Sequence, residues 1–190
     1  MAKGELGLSL ALRLIAPGPV TLITTEDRGI PNLATCAWVM PVCERPPVVA
    51  VSLSAGALTR RNLEERGEFV LSIPPRSLLR ETHFCGTVSG REARKERETG
   101  LRLEAAGTVR APLVAAAIGH LECRVLETRP IGDHVVFFAE VVLAIVDQSL
   151  FDGAWTTDDV RARTLHHLGG DLYASTGRRA AADPSRTIEW

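Results

Sequence analysis

The chain has 190 residues, of which 45% are hydrophobic and 24% charged, and its formal net charge at pH 7 is −1. This length is enough for one domain with a sizeable core, and the charged fraction is that of an ordinary globular protein. A nearly neutral chain lacks the basic excess that attracts nucleic acids or anionic membranes, so we expect neither as a partner.

Residues 1–20 contain a leucine-rich run, which we interpret as a short amphipathic helix. Glu5 and Arg13 interrupt the run, no small-residue cleavage site follows it, and the Pro-Gly-Pro sequence at residues 17–19 is typical of a helix stop. A secretion signal is therefore disfavoured, and no later stretch approaches the ~20 apolar residues of a membrane span. The four cysteines form no CxxC pair, so we expect reduced thiols and a cytoplasmic location.

Runs of β-branched or apolar residues, separated by turn-forming residues, predict a chain dominated by strands. The predicted strands cover residues 20–27, 33–42, 47–54 and 68–74, and residues 117–148 divide at the sequence RPIGD into two longer ones. Two short helices are predicted over residues 59–67 and 75–84, the first with Thr59 as its N-cap and Gly67 as its stop. Strands joined by short connections favour a closed or partly closed antiparallel barrel over a doubly wound fold.

Apolar and charged residues alternate in the first of the two longer strands. Leu121, Cys123 and Val125 would face the core, while Glu122 and Arg124 would face solvent. This pattern predicts a strand with one exposed face.

The end of the chain is polar, so we expect an arm or a loop after residue 151 rather than a second core. Gly169-Gly170 and Pro184 within it are typical of irregular structure. We therefore predict a single domain over residues 1–177, including the N-terminal helix, and a tail over residues 178–190.

Two segments have the composition of an anion-binding site. The helix predicted to begin at Thr59 would present unpaired N–H groups and a partial positive charge, and Ser52 and Ser54 lie just before it. Residues 85–90 hold two glycines among small residues and would form a backbone nest, with Lys95 close behind. The alternatives are that Thr59 only caps its helix and that the glycine segment is a solvated surface loop. No G-x-x-x-x-G-K-[ST] sequence is present, so nucleoside triphosphate chemistry is not indicated, and G-x-G-x-x-G is also missing.

Metal binding and serine catalysis are two further chemistries to consider. His83, Cys85, His120 and Cys123 offer ligand atoms, but their spacing is looser than that of structural zinc sites, and we predict no metal. A metal-binding protein stays an alternative. The chain has no G-x-S-x-G sequence, so the nucleophile elbow of many hydrolases is missing.

Six segments, taken in chain order, form a recognisable set. They are PGPVTLITTEDRGIPNLATCAWVMPV, PPVVAVSLSAGALTRRNLEERGEFVLSIP, CGTVSGREARK, ETGL, HLECRV and GDH. Together they resemble the flavin reductase-like, flavoredoxin-type family over residues 17–148, and LGGDLYASTG extends the resemblance to Tyr173. The resemblance implies a mainly β fold, the FMN-binding split β-barrel, with antiparallel strands in a Greek-key-like order and short peripheral helices. It also implies a homodimer with flavin near the subunit interface.

The resemblance implies that FMN is the cofactor and that it binds at matching positions. The segment from Asn32 to Trp38 would line the isoalloxazine ring, and the groups that follow would hold the ribityl chain and phosphate. The implied cofactor-binding residues are Asn32, Thr35, Cys36, Ala37, Trp38, Ser52, Ser54, Thr59, Cys85, Gly86, Ser89, Gly90, Lys95 and Tyr173. His134 matches a histidine near the place where nicotinamide would stack, and it is the predicted catalytic residue. The family often has an acid directly before the lysine, whereas this chain has Arg94, which either favours the phosphate or points at solvent.

These implications predict an FMN oxidoreductase, a flavin reductase that accepts hydride from NADH or NADPH as co-substrate. Such chemistry belongs to the cofactor, so it agrees with a sequence that has no catalytic triad pattern. The alternative is an FMN-containing electron-transfer protein that NAD(P)H does not reduce directly. The expected partners are a second copy of the chain, the nicotinamide nucleotide, and a monooxygenase or another electron acceptor.

Overall fold

The computed structural model describes residues 10, 12–15 and 18–182. Most of the predicted N-terminal helix lies outside these residues, and Leu12–Leu14 form a 3-10 turn within them. The strands are β1 Thr21–Asp27, β2 Ile30–Cys36, β3 Val39–Glu44, β4 Pro47–Ser54, β5 Glu68–Ile73, β6 Leu103–Glu104, β7 Leu113–Val114, β8 Gly119–Ile131, β9 His134–Val146, β10 Leu165–Gly169 and β11 Leu172–Ser175. The α-helices are α1 Leu58–Arg66, α2 Leu79–Thr87 and α3 Lys95–Thr99.

The main sheet has seven strands in the order β2-β1-β5-β8-β9-β4-β3, and its paired strands are antiparallel. Hairpins join β1 to β2, β3 to β4 and β8 to β9. The other pairings join strands that are distant in the chain: β5 pairs with β1 and β8, and β9 pairs with β4. The strands at the two ends of this sheet, β2 and β3, lie close together, because β2 also contacts β4, the strand with which β3 pairs. The sheet therefore curls into an antiparallel barrel that stays open between β2 and β3, as the strand pattern predicts.

The single strand predicted over residues 33–42 is two strands. The first part pairs with β1 and ends at Cys36, and the second begins at Val39 and pairs with β4. The chain must cross here from one end of the sheet to the other, so Ala37 and Trp38 lie outside both strands. Strand propensity does not reveal this crossing because the residues on both sides form strands equally well.

Apolar residues fill the barrel and also cover part of its outside. Ile23, Phe137 and Leu63 of α1 belong to the cluster inside the barrel. Leu22 belongs to a second cluster, which includes Cys85 of α2. Successive residues of β1 point to opposite faces of the sheet, so this one strand contributes a residue to each cluster.

Helix α1 ends where the sequence predicts but begins one residue earlier. Gly67 has a φ of 67° and donates its N–H to the Leu63 carbonyl at 2.8 Å, a left-handed cap that glycine adopts without strain. The prediction that Thr59 is the N-cap is wrong, because Ala57 holds that position. Thr59 lies in the first turn, and its hydroxyl is available to other partners.

The glycine segment predicted as a loop over residues 85–90 is helical in its first half. Helix α2 continues to Thr87, and a 3-10 turn over Arg76–Leu78 precedes it. Cys85 is buried in the second cluster, so tertiary packing extends the helix through Gly86 against glycine's low helix propensity.

The prediction that Glu122 of β8 faces solvent is wrong, because this side chain is fully buried. Its carboxylate accepts hydrogen bonds from the main-chain N–H groups of Gly107 at 2.7 Å and Thr108 at 2.6 Å, and from the Thr108 hydroxyl at 2.5 Å. Burial by itself would raise the pKa of Glu122, but these hydrogen bonds hold it below its usual value. The segment around Gly107 covers a sheet face that would otherwise meet solvent.

The polar end of the chain is more ordered than the predicted arm or loop. A 3-10 turn over Val160–Ala162 and the β10–β11 hairpin follow residue 151, and Ala162 and Leu165 are buried. The boundary at residue 177 stays a prediction, and residues 183–190 lie outside the described part of the chain. Within the described ranges, no helix has the length and apolar character to cross a membrane.

Candidate functional site

A cavity of about 530 Å³ opens where the crossing between β2 and β3 meets the start of α1 and the end of α2. This volume is within the usual range for small-molecule and cofactor sites. The predicted site residues that line it are Asn32, Thr35, Cys36, Ala37, Trp38, Ser52, Ser54, Thr59, Cys85, Gly86, Ser89, Gly90, Lys95 and His134. Ala34, Thr87 and Val88 also line it and lie within the two predicted segments, whereas the lining residues that sequence reasoning missed are Leu53, Gly56, Ala57, Leu58 and Arg91. Each of these lies beside a predicted residue or within the short turn before α1, so extending each motif by its neighbours would have found them.

One end of the cavity is rich in hydrogen-bond donors. The N-terminus of α1 presents its first main-chain N–H groups there, and no side chain caps it. Asn32 Nδ2 donates to Thr59 Oγ1 at 2.9 Å, and both side chains are buried. The Thr59 hydroxyl therefore keeps its own hydrogen for another acceptor, and Ser54 and Ser89 add further hydroxyl groups.

Lys95 is a buried cation at this same end. It is 5% exposed, and its Nζ donates to the Cys85 carbonyl at 2.7 Å. Among the described residues it has no ion pair, although an ammonium group has three hydrogens to donate. Burial lowers the pKa of Lys95, because the charged form loses its hydration. A buried ammonium group without a carboxylate partner is suited to an anionic ligand.

The glycines let helix α2 and the following loop approach β2 closely. A Cβ atom at Gly90 would lie 2.0 Å from Asn32 Oδ1, and one at Gly86 would lie 3.1 Å from Thr35 Cβ. Arg91 then donates from Nη1 to the Gly56 carbonyl at 2.9 Å, which joins the loop to the turn before α1. The donor-rich end is thus enclosed by the main chain on two sides.

The other end of the cavity carries two stacked rings. The centroids of Trp38 and His134 are 4.6 Å apart, with 31° between the ring planes. His134 Nδ1 lies 2.8 Å from Asp133 Oδ1, and the Trp38 side chain is about half exposed. When Nδ1–H donates to this carboxylate, Nε2 is left free to accept a hydrogen bond from a ligand.

The two cysteines in the cavity wall are inert thiols at neutral pH. Burial raises the pKa of Cys36 to about 12 and that of Cys85 to about 11. Because only the thiolate is a strong nucleophile, nucleophilic catalysis by either sulfur is disfavoured. These two sulfurs therefore line the cavity without supplying a nucleophile.

Residues 13–165 match the family model described as the flavin reductase-like domain. The chain belongs to the flavin reductase-like family. The family predicted from the sequence motifs is thereby confirmed.

Relatives and solved structures of this flavin reductase-like chain agree on its fold. The uncharacterized protein YddH of Escherichia coli K12 is 35% identical over 177 residues, which are 90% of this chain and 94% of YddH. A protein named FMN reductase (NADH) RutF, from Pseudomonas syringae, is 27% identical and covers 88% of this chain and 81% of its own. The structure of flavoredoxin from Desulfovibrio vulgaris has a TM-score of 0.83 and 28% identity, over 97% of this chain and 98% of its own. The predicted split barrel is confirmed.

The cavity of this flavin reductase-like chain has the chemistry that a flavin mononucleotide requires. A phosphate dianion needs N–H donors and a cation, which the start of α1, Thr59 and Lys95 supply. A flat, largely apolar ring needs a closely approaching backbone and an apolar wall, which Gly86 and the crossing at Ala37 and Trp38 supply. These residues therefore fit the cofactor that the family resemblance implies.

Two predicted contributors lie away from this cavity. Tyr173 lies in the β10–β11 hairpin, where its hydroxyl is 3.3 Å from His83 Nδ1, and it does not line the cavity. Arg94 pairs with Glu96 at 2.9 Å and also lies outside the cavity, which favours the interpretation that it points at solvent.

The four residues considered as metal ligands do not come together. Cys85 and Cys123 belong to different core clusters, and His120 is buried with its Nδ1 3.0 Å from Ser72 Oγ. In the ranges that the structure describes, no three His, Cys, Asp or Glu residues are grouped to hold a metal ion.

Proposed function

We propose that the chain is an FMN-binding oxidoreductase that takes hydride from NADH or NADPH. The observation that carries the proposal is the buried Lys95 ammonium, which has no ion pair among the described residues and lies at the donor-rich end of a 530 Å³ cavity. An FMN phosphate would complete this site, and the rings of Trp38 and His134 at the other end would offer a contact surface to a second planar group. The relative named FMN reductase (NADH) supports the choice of hydride donor.

We propose that different groups of the described residues hold different parts of the FMN molecule. Lys95, Thr59 and the start of α1 would hold the phosphate, with Ser54 and the loop through Ser89 and Gly90 beside the ribityl chain. The wall from Asn32 to Trp38, with Ser52, Cys85 and Gly86, would face the ring. When bound, FMN supplies the hydride acceptor at its ring N5. The chain itself binds, orients and excludes water.

His134 is the residue that we propose orients the nicotinamide. Its ring is held by the stack on Trp38 and by Asp133, so it offers a fixed polar atom beside the ring wall. We expect His134→Ala to slow anaerobic flavin reduction about tenfold, the size of one lost polar contact, while FMN affinity changes much less. Stopped-flow absorption measures the first quantity and FMN fluorescence titration the second. Unchanged reduction kinetics would remove His134 from the reaction.

We propose that the chain forms a homodimer through the face around β3. Met40 and Val42 are exposed on this edge strand, and a mostly apolar groove of about 430 Å³ runs beside them to Val136 and Phe138. Sedimentation is expected to give twice the chain mass of 20.5 kDa, and Met40→Glu is expected to shift the protein toward monomer. A wild-type monomer at micromolar concentration would contradict the proposal.

The second candidate function is an FMN electron-transfer protein that NAD(P)H does not reduce, and the similarity to flavoredoxin favours it. The deciding experiment is to load the protein with FMN without oxygen, add NADH or NADPH, and follow the visible flavin absorption. Rapid bleaching supports the reductase and directs attention to its acceptor, a monooxygenase or another redox protein. An absorption band that persists with both nucleotides overturns the reductase and supports the carrier. In either role we expect the protein to work in the cytoplasm, where its thiols stay reduced.

A further inference from the structure

A second cavity of about 460 Å³ lies along helix α2, beside the cavity described above. Its lining residues are Ser77, Leu79, Arg80, His83, Asp171 and Tyr173. His83 and Thr87 are four residues apart and lie on one face of α2, and the Thr87 hydroxyl donates to the His83 carbonyl at 3.2 Å. Thr87 lines the first cavity. The two cavities are therefore neighbours, separated by about one helical turn, or ~6 Å of helix rise.

Aromatic rings form one wall of the second cavity. Tyr173 meets the edge of His83 with ring centroids 5.8 Å apart and an interplanar angle of 85°. On its other side it packs against His167 at 5.1 Å. The Tyr173 hydroxyl lies 3.3 Å from His83 Nδ1, which fixes the ring between the two histidines. A wall of this kind offers stacking and edge contacts to a planar base.

The same cavity also carries an available positive charge. Arg80 is exposed, and within the described part of the chain its guanidinium makes no hydrogen bond or ion pair. Asp171 is the acid of this cavity; its side chain is 90% exposed and lies 3.7 Å from His83 Nε2. A guanidinium without a carboxylate partner is well suited to a phosphate group.

We propose that this second cavity binds the adenosine phosphate half of NAD(P)H while the nicotinamide half enters the first cavity. This rests on the proposed function, since it concerns the hydride donor of that same site. A nicotinamide dinucleotide has two planar bases joined by a pyrophosphate. Each cavity offers aromatic rings to a planar base, and Arg80 adds a cationic group in the second cavity. The fold thus gives Tyr173 a place in donor binding rather than in the flavin contacts expected from the sequence.

In the binding test, 5′-AMP or 2′,5′-ADP is titrated into FMN-loaded protein, and the affinity is measured by calorimetry. We expect both to bind, and Arg80→Ala to weaken binding about tenfold, as for one lost charge-assisted contact. The matched control is Arg97→Ala, which removes an exposed guanidinium from α3 outside both cavities and is expected to change binding by less than about twofold. Tyr173→Phe keeps the stacking ring and is expected to keep most of the affinity. Failure of both probes to bind, or equal effects of the two arginine variants, would overturn the proposal.

A kinetic test compares NADH with reduced nicotinamide mononucleotide, which lacks the adenosine half. The ratio of kcat/KM for NADH to kcat/KM for reduced nicotinamide mononucleotide is expected to fall about tenfold in Arg80→Ala, because KM for NADH rises. The same ratio is expected to stay constant in Arg97→Ala. A constant ratio in both variants counts against the proposal. If neither donor reduces the flavin while both probes bind in an Arg80-dependent way, the reductase activity fails and the adenine nucleotide site stands.

Discussion

Glu122→Ala is expected to lower the free energy of unfolding by about 3 kcal/mol, because two main-chain N–H groups and a hydroxyl would lose their buried acceptor. The side chain is fully buried, so water does not readily replace the carboxylate. Urea denaturation of the FMN-free protein measures the change. The matched control is Glu127→Ala on the same strand, where the carboxylate is 52% exposed and paired with Arg129, and where a loss below about 1 kcal/mol is expected. Equal losses in the two variants would show that the buried carboxylate does not hold the loop at Gly107.

The same carboxylate predicts how stability depends on pH. Its folded pKa lies below the usual value of 4.5, so its contribution is complete above that value and is lost as the pH falls through the folded pKa. The difference in stability between wild type and Glu122→Gln should therefore be constant near neutral pH and shrink at acid pH. A difference that grows on acidification would have the wrong sign and would contradict the role of Glu122 as an acceptor.

Lys95→Met is expected to weaken FMN binding about 30-fold, as for the loss of a charge-assisted contact to phosphate in a poorly hydrated site. The same change should leave the FMN-free protein equally or more stable, because burial already disfavours the ammonium form of this side chain. FMN fluorescence titration and urea denaturation measure the two effects separately.

The control for Lys95 lies one residue away. Arg94→Met also removes a positive charge, but Arg94 pairs with Glu96 and its side chain is 42% exposed. We expect the FMN affinity of this variant to change by less than about threefold. If both variants weaken FMN binding alike, long-range charge rather than the buried ammonium governs affinity. If neither does, the phosphate does not bind at this end of the cavity.

The sequence predicts the barrel because strand-forming runs and turn residues alternate along it. Most of the residues that line the cavity are named by the family resemblance that its motifs carry. The details it misses depend on partners far along the chain. Glu122 alternates with apolar residues like any exposed acid, and only the segment at Gly107 shows that it is buried. The family resemblance implies that Tyr173 contacts the flavin, whereas the β10–β11 hairpin places its hydroxyl beside His83 of α2.

The amino-acid composition carries a further signal about the cavity. The chain has two lysines, Lys3 and Lys95, among 22 basic residues. Lys95, the one described lysine in a chain that otherwise uses arginine, is also the buried cation of the cavity, and an ammonium group is a more compact charge than a guanidinium. Such compositional exceptions point to sites that periodicity does not reveal.

Cys36 and Cys85 are protonated thiols, and this form makes their sulfur atoms resistant to oxidation by peroxide. Reduced flavin that meets oxygen releases peroxide, and peroxide attacks thiolates far faster than thiols. Because burial keeps the pKa values of these two cysteines at about 12 and about 11, almost no thiolate is present at neutral pH. In the proposed flavin site these two sulfurs would therefore meet peroxide as thiols rather than as thiolates, whereas Cys43 is exposed to solvent.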